Sequence, residues 1–182
     1  MLEIAYSWLV LRRSLKPMDC RHVQLCIHDG TAHGVCSRDL DLSQLQTLFH
    51  SAAFWATDRR TEDLAIALAN SNPVVSAWDG DRLIGFARAT SDGIYRATIW
   101  DVVVHPDYQG AGIGRKLVET VLTHPHVNRV ERVYLMTTHQ QAFYERIGFQ
   151  CNASTTMVLH NQPVSQNGLP SEIEIAFRRN QR

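Results

Sequence analysis

The chain has 182 residues, 45% of them hydrophobic and 20% charged, which suits one globular domain long enough to bury a real core. Lysine plus arginine equals aspartate plus glutamate at 18 each, so no global field draws the protein to nucleic acid or to an anionic membrane, and recognition has to be local. The four cysteines form no Cys-x-x-Cys pair, and a chain of this size does not need disulfide staples, so a reduced cytoplasmic protein is expected.

Residues 1–34 read as an N-terminal extension without an assignable element. Leu2, Ile4, Trp8, Leu9 and Leu11 are spaced to pack as an added helix. The apolar start is interrupted by Glu3 and followed, not preceded, by Arg12 and Arg13, which is too short for a span and of the wrong polarity for a signal peptide. Val23–Ile27 reads as a short strand. His22, Cys26, His28, His33 and Cys36 lie close in sequence but lack paired ligand spacing, so no metal is expected. Asp41 or Ser43 can cap a helix with Leu42, Leu45, Leu48 and Phe49 on one face, and Thr61 can cap a second bearing Leu64, Ala67 and Leu68. Arg59 and Arg60 between them read as a solvated loop.

From Pro73 the hydrophobic period changes. Val74–Trp78, Leu83–Ala89 and Ala97–Val104 read as three strands joined at Asp79-Gly80 and Ser91-Asp92-Gly93, an antiparallel meander. Gly85 inside the second strand marks a bulge, a close backbone approach or simple packing. Ile113, Leu117, Val118, Val121 and Leu122 form one face of a helix that must end near His124-Pro125. Val130–Met136 reads as a strand, and the intervening helix lets it lie parallel to the strand before it. A helix over about Gln140–Ile147 stops at Gly148. Phe149–Cys151 and Thr155–His160 suggest closing strands. Residues 161–182 form a C-terminal extension with Ile173–Phe177 as an edge strand, leaving 35–160 as the single domain.

Gln109–Lys116, Gln-Gly-Ala-Gly-Ile-Gly-Arg-Lys, lies between the last strand of the meander and the helix after it. A glycine-rich turn opening a helix presents unpaired N–H groups at the positive end of the helix dipole, a site for phosphate or another anion. A P-loop requires Gly, four intervening residues and then Gly-Lys-Ser/Thr, and from Gly110 the place of the second glycine holds Arg115. The dinucleotide fingerprint requires a glycine three residues after Gly112, again Arg115. Both readings fail on spacing.

The remaining pattern, Gln-x-x-Gly-x-Gly, resembles the signature of the GNAT superfamily of acyl-CoA-dependent N-acetyltransferases, and Val104–Tyr108 and Phe143–Phe149 resemble the same family in the same order. Ala87–Asp92, Ala97–Val102 and His105–Gly110 look like its plastid and cyanobacterial branch, whose members act as serotonin (arylalkylamine) N-acetyltransferases, with related plastid enzymes acetylating protein lysines and N-termini. The resemblance implies a single α/β (α+β) domain. It would have a mixed, mostly antiparallel twisted sheet flanked by helices, with a parallel strand pair that splays at the acetyl-CoA site. It also implies that the region of Arg59 and Arg60 helps wall the substrate site. The expected partner is a small-molecule amine, with a homodimer left open.

Carried over residue by residue, the resemblance puts the pantetheine arm of acetyl-CoA against the backbone of Val102, Val103 and Val104. It puts the pyrophosphate at the amides of Gln109, Gly110, Ala111, Gly112, Ile113 and Gly114, with Arg115 beside them. Tyr144 becomes the general acid next to the cofactor sulfur. Thr138 stands where many members have a cofactor-contacting asparagine. The acid that lysine-modifying members use as base is replaced by Thr98, and Asp101 is the only acid on that strand. Alternation puts Asp101 on the face opposite Thr98 unless a bulge re-aims it, so it reads as base or structural anchor. His105 and His139 could serve through water. Trp55, Tyr95, Trp100 and Phe54 could wall an aromatic acceptor or simply pack. With no cysteine in the three motifs, direct transfer to the amine is expected.

Overall fold

The change of period at Pro73 marks the centre of the fold. The computed structural model describes residues 22–28, 38–154 and 156–159. The sheet has five strands in sequence order, β1 (Gln24–His28), β2 (Val74–Asp79), β3 (Arg82–Ser91), β4 (Arg96–Val104) and β5 (Arg132–Tyr134). The first four pair antiparallel and β4 pairs β5 parallel. Gly80, at φ +56°, takes the left-handed turn position that Asp-Gly supplies between β2 and β3.

Helices cover both faces. In α1 (Leu42–Ala52), Asp41 is the cap, its Oδ1 accepting from the backbone N–H of Ser43 at 2.8 Å and of Gln44 at 3.4 Å. For α2 (Thr61–Ala69) the cap position is Arg60 and not Thr61, which is already helical. Leu45, Leu48 and Phe49 of α1 and Leu64 of α2 pack on Val74, Trp78, Phe86 and Val103. Alternation along the strands sends Ala77 and Gly85 to the other face. There α3 (Ile113–Thr123) lies so close that a Cβ on Gly85 would stand 3.1 Å from Leu117 Cδ1 and 3.3 Å from Ile113 Cγ2. The register between β2 and β3 also shifts at Ala77/Trp78, so Gly85 combines the bulge and the close approach.

Two irregularities in β4 shape the functional region. Its parallel pairing with β5 covers only Arg96↔Arg132, Ala97↔Val133 and Thr98↔Tyr134, so residues 99–104 run on without a β5 partner. Against β3 the register passes from Arg88↔Trp100 to Phe86↔Val103, which leaves one extra residue in β4. Asp101 is the only non-glycine residue at positive φ among the described residues, +54°, and marks that bulge.

The short helix α4 (Gln141–Glu145) follows β5, and Gly148 at φ +111° lies beyond its end. The chain divides after Gly148 into two units. In the second, residues 149–154 and 156–159 have no regular secondary structure, so a strand over 149–151 is not formed; Met157, Val158 and Leu159 are exposed. Most of the N-terminal extension and all of 161–182 lie outside the described residues, as do the expected edge strand at 173–177 and the helix proposed from Leu2 to Leu11. Cys26 on β1 is disulfide-bonded, contrary to the expected reduced state, and Cys151 is free. No helix of the described residues is long and apolar enough to cross a membrane.

Candidate active site

The glycine turn has the geometry that an anion site needs. Gly110 and Gly112 sit at φ +81° and +82°, where an L side chain is strained, and nothing lies within 4 Å of a Cβ built on either. Conformation, not crowding, calls for glycine here. Gly112 is the residue before α3, with no side-chain cap and no acid in the first turn. Among the described residues the backbone N–H groups of 110–115 make no hydrogen bond, while Lys116 N–H already donates to Gly112 C=O at 3.1 Å. A row of unpaired donors at a helix start, beside open space, fits a pyrophosphate.

Neighbouring residues hold this turn in place. Gln109 Nε2 donates to the Val104 carbonyl at 3.0 Å, tying the loop to the end of β4. Pro106–Tyr108 form a single 3₁₀ turn, and the Tyr108 hydroxyl donates to Asp79 Oδ2 at 2.5 Å. Arg115 Nε donates to Glu119 Oε1 at 2.6 Å, one turn along α3, so its charge is partly spent within the helix. A Cβ on Gly114 would meet Phe143 Cζ at 3.5 Å and Val104 Cγ2 at 3.6 Å. The end of β4, the first turn of α3 and α4 therefore converge at Gly114.

That convergence brings in Tyr144, whose ring lies edge-on to Phe143 with centroids 4.9 Å apart. Burial pushes its hydroxyl above the usual tyrosine range, so it keeps its proton at neutral pH. Thr138 is exposed, and its contribution to α4 is a carbonyl that accepts from Gln141 Nε2 at 3.1 Å. The hydroxyl that serves α4 belongs to Thr137, which accepts from Gln140 N–H at 3.1 Å.

Asp101 lies on the same face as Trp100 and Val103. The bulge turns its carboxylate, 5% exposed, toward Arg88 of β3 and Arg59 of the α1–α2 connection, each 2.7 Å from Oδ2. Burial pushes the carboxyl up, but the hydrogen bonds and charges of the two guanidiniums outweigh it and hold the group below the usual carboxylate range. Arg88 also donates to Ser71 Oγ at 3.0 Å. Sequence reasoning missed Arg88 as a site residue and reached Arg59 only through the resemblance, as part of a region that walls the substrate site. Arg59 gives no local signal, but Arg88 stands in the apolar run Leu83–Ala89, and a cation there requires a buried acid.

The remaining candidates are less centrally placed. His105 Nε2 lies 2.8 Å from Arg82 Nη2, and its Nδ1 accepts from the Asp107 backbone N–H at 3.3 Å, with the Asp107 carboxylate 3.5 Å away. Burial, then the Arg82 charge, lowers its affinity for a proton, and both ring nitrogens are engaged by neighbouring N–H groups. His139 is exposed. Trp100 donates from Nε1 to Thr90 Oγ1 at 2.9 Å, with the Arg88 guanidinium 5.9 Å from its ring centre. Tyr95 is 63% and Trp55 51% exposed, so neither is consumed by the core. Phe54 has no described side chain. No group of three His, Cys, Asp or Glu side chains comes together among the described residues, and His33 and Cys36 lie outside them.

Residues 70–151, which hold β2 through α4, match the family described as acetyltransferase (GNAT) domain. An uncharacterized N-acetyltransferase ycf52 of Pyropia yezoensis is 33% identical over 118 residues, covering 62% of this chain and 67% of that protein. The chain belongs to the GNAT acetyltransferase family. Histone acetyltransferase TAP1 of Glycine max is 36% identical over 139 residues, covering 68% of this chain but only 59% of the relative's length. Among solved structures, a putative GNAT acetyltransferase of Xanthomonas campestris pv. campestris superposes with a TM-score of 0.61 at 25% identity, over 76% of this chain and 94% of that one. The expected mixed sheet with a parallel β4–β5 pair is borne out, and so is an acyltransferase at the level of the family. GNAT acetyltransferases use acetyl-CoA, and the unpaired amides of 110–115 beside the end of β4 that has no β5 partner suit it.

Proposed function

We propose that the protein transfers the acetyl group of acetyl-CoA directly to a primary amine, with small arylalkylamines such as tryptamine or serotonin as the first acceptor class to test. The observation that carries this reading is the meeting at Gly114 of three parts: the end of β4 beyond its β5 partner, the open-ended α3 and the helix bearing Tyr144. When bound, acetyl-CoA supplies an activated acyl carbon for the amine and a sulfur leaving group. The amides of 110–115 hold its pyrophosphate, and the backbone of Val102–Val104 orients the pantetheine arm as a further strand would be oriented.

Tyr144 stays protonated because burial raises its pKa, and its hydroxyl is the proton source for the departing thiolate. The acceptor must arrive neutral. Asp101 is a poor base for that step, since accepting a proton would dissolve its pairing with Arg59 and Arg88. We assign Asp101 to holding the α1–α2 connection on β4, with amine deprotonation left to solvent. The serotonin N-acetyltransferase-like motifs and the aromatic Trp100 on this face support an aromatic amine. The similarity to a histone acetyltransferase of Glycine max favours a second reading, a protein lysine as acceptor, with a protein N-terminus as its variant.

An acetyl-CoA consumption screen over tryptamine, serotonin, polyamines, amino acids and lysine peptides tests the reading. Tyr144→Phe should lower turnover by about a hundredfold or more, the usual range for losing a positioned general acid, and leave acetyl-CoA affinity nearly unchanged. Unchanged turnover would remove Tyr144 from the mechanism. Binding of acetyl-CoA with no acceptor consumed would favour a non-catalytic acyl-CoA-binding module.

A further inference from the structure

We propose that the acceptor amine carries a carboxylate or a similarly compact anion, and that Arg59 receives it. The inference rests on the transferase reading above. Its starting point is a charge count on one face of the sheet. Arg88, Thr90, Thr98, Trp100 and the re-aimed Asp101 share that face, and Arg59 closes on it from the α1–α2 connection. Two guanidiniums meet one carboxylate and both bind the same oxygen, Oδ2, at 2.7 Å. Among the described residues neither arginine meets another acid, so one positive charge is left over in partly desolvated surroundings.

The two arginines are not equivalent. Arg88 is 15% exposed and is also bound to Ser71, whereas Arg59 is 33% exposed and its Nε and Nη2 make no hydrogen bond among the described residues. Its planar fork therefore keeps donors suited to a carboxylate. The location is equally specific, because Asp101 immediately precedes Val102–Val104, which have no β5 partner. An anion on Arg59 would thus lie beside the reacting end of the site, with Trp100 on the same face for an aromatic group. Aromatic α-amino acids, or an amine beside an acidic peptide residue, have this chemistry. Polyamines carry the wrong charge for it.

L-tryptophan and tryptamine differ only by the carboxylate and make a matched pair. The expected result is a kcat/KM for L-tryptophan on the order of tenfold above that for tryptamine, the size of one partly exposed charge-assisted hydrogen bond. In Arg59→Gln the ratio should fall to about one, as the loss of that single bond requires. Both acceptors are read on one preparation, so a smaller folded fraction scales both alike. Equilibrium binding of the two to the CoA-saturated protein reads the same preference without turnover. Absence of turnover with every amine would therefore speak against the transferase reading alone, and the binding ratio would still decide this one. A ratio at or below one in the unmodified protein, or a preference that survives Arg59→Gln, overturns the proposal.

Discussion

At Asp101 the chain accepts φ +54° on a non-glycine residue, a conformation that costs an L side chain on the order of 1–2 kcal/mol. The bulge brings a nearly buried carboxylate within 2.7 Å of two guanidiniums drawn from separate parts of the chain, which offsets that strain. Asp101→Asn keeps the shape and removes the charge, leaving Arg59 and Arg88 facing each other. Because Arg59 can rehydrate, the expected loss is near the low end for a broken buried pair, about 3 kcal/mol by urea unfolding. The pH dependence has a definite sign. The folded carboxyl titrates below its unfolded value, so its stabilisation is complete above the unfolded pKa of about 4 and is lost as pH falls through the folded value. The stability gap between unmodified and Asp101→Asn protein should stay constant from pH 7 to about 5 and shrink below about 4. A gap undiminished at pH 3 would mean that the ionised carboxylate is not what holds the bulge.

At the scale of elements, the contact of α3 with β3 fixes where the glycine turn sits. A methyl on Gly85 would stand 3.1 Å from Leu117 Cδ1, 3.2 Å from Ala77 Cβ and 3.3 Å from Ile113 Cγ2. The Leu117 terminus can swing, but Ala77 Cβ is fixed to the adjacent strand. Overpacking of about 1–3 kcal/mol should exceed the roughly 0.5–1 kcal/mol that alanine recovers in backbone entropy, so Gly85→Ala should lower stability by about 1 kcal/mol. A stabilised variant would show that the sheet and helix have slack. The meander, α1 and α3 were legible in the sequence because each is written locally, in the Asp79-Gly80 turn, the Asp41 cap and the face from Ile113 to Val121. The glycine turn that opens α3 was legible for the same reason. The bulge was not, since a register shift is a relation between two strands, and Asp101 reads as an ordinary strand residue until Arg88 and Val103 are aligned. The pairing of Arg59 was illegible as well, because its partner lies on another element and Arg59 and Arg60 read as a solvated loop. The short run 149–151 has strand-like composition but does not form a strand, as a sheet partner is not specified by three residues.

For the molecule as a whole, equal numbers of acidic and basic residues mean that no long-range field guides an anionic co-substrate. Affinity for acetyl-CoA should therefore come from fixed dipoles at contact distance, which salt screens weakly, and not from a basic surface, which it screens strongly. Raising ionic strength from about 0.05 to 0.5 M should weaken binding by less than about threefold, whereas a single charge placed at the α3 N-terminus should weaken it more than about tenfold. Gly112→Asp supplies that charge, and Gly112→Asn controls for it, since asparagine has the same shape and tolerates the left-handed conformation that Gly112 adopts at φ +82°. The asparagine variant should retain most of the affinity and the aspartate variant should lose it, as read by equilibrium titration with acetyl-CoA. Equal losses would assign the effect to backbone strain. A salt dependence of tenfold or more in the unmodified protein would move anion recognition from the amides of 110–115 to side chains such as Arg115 and Lys116.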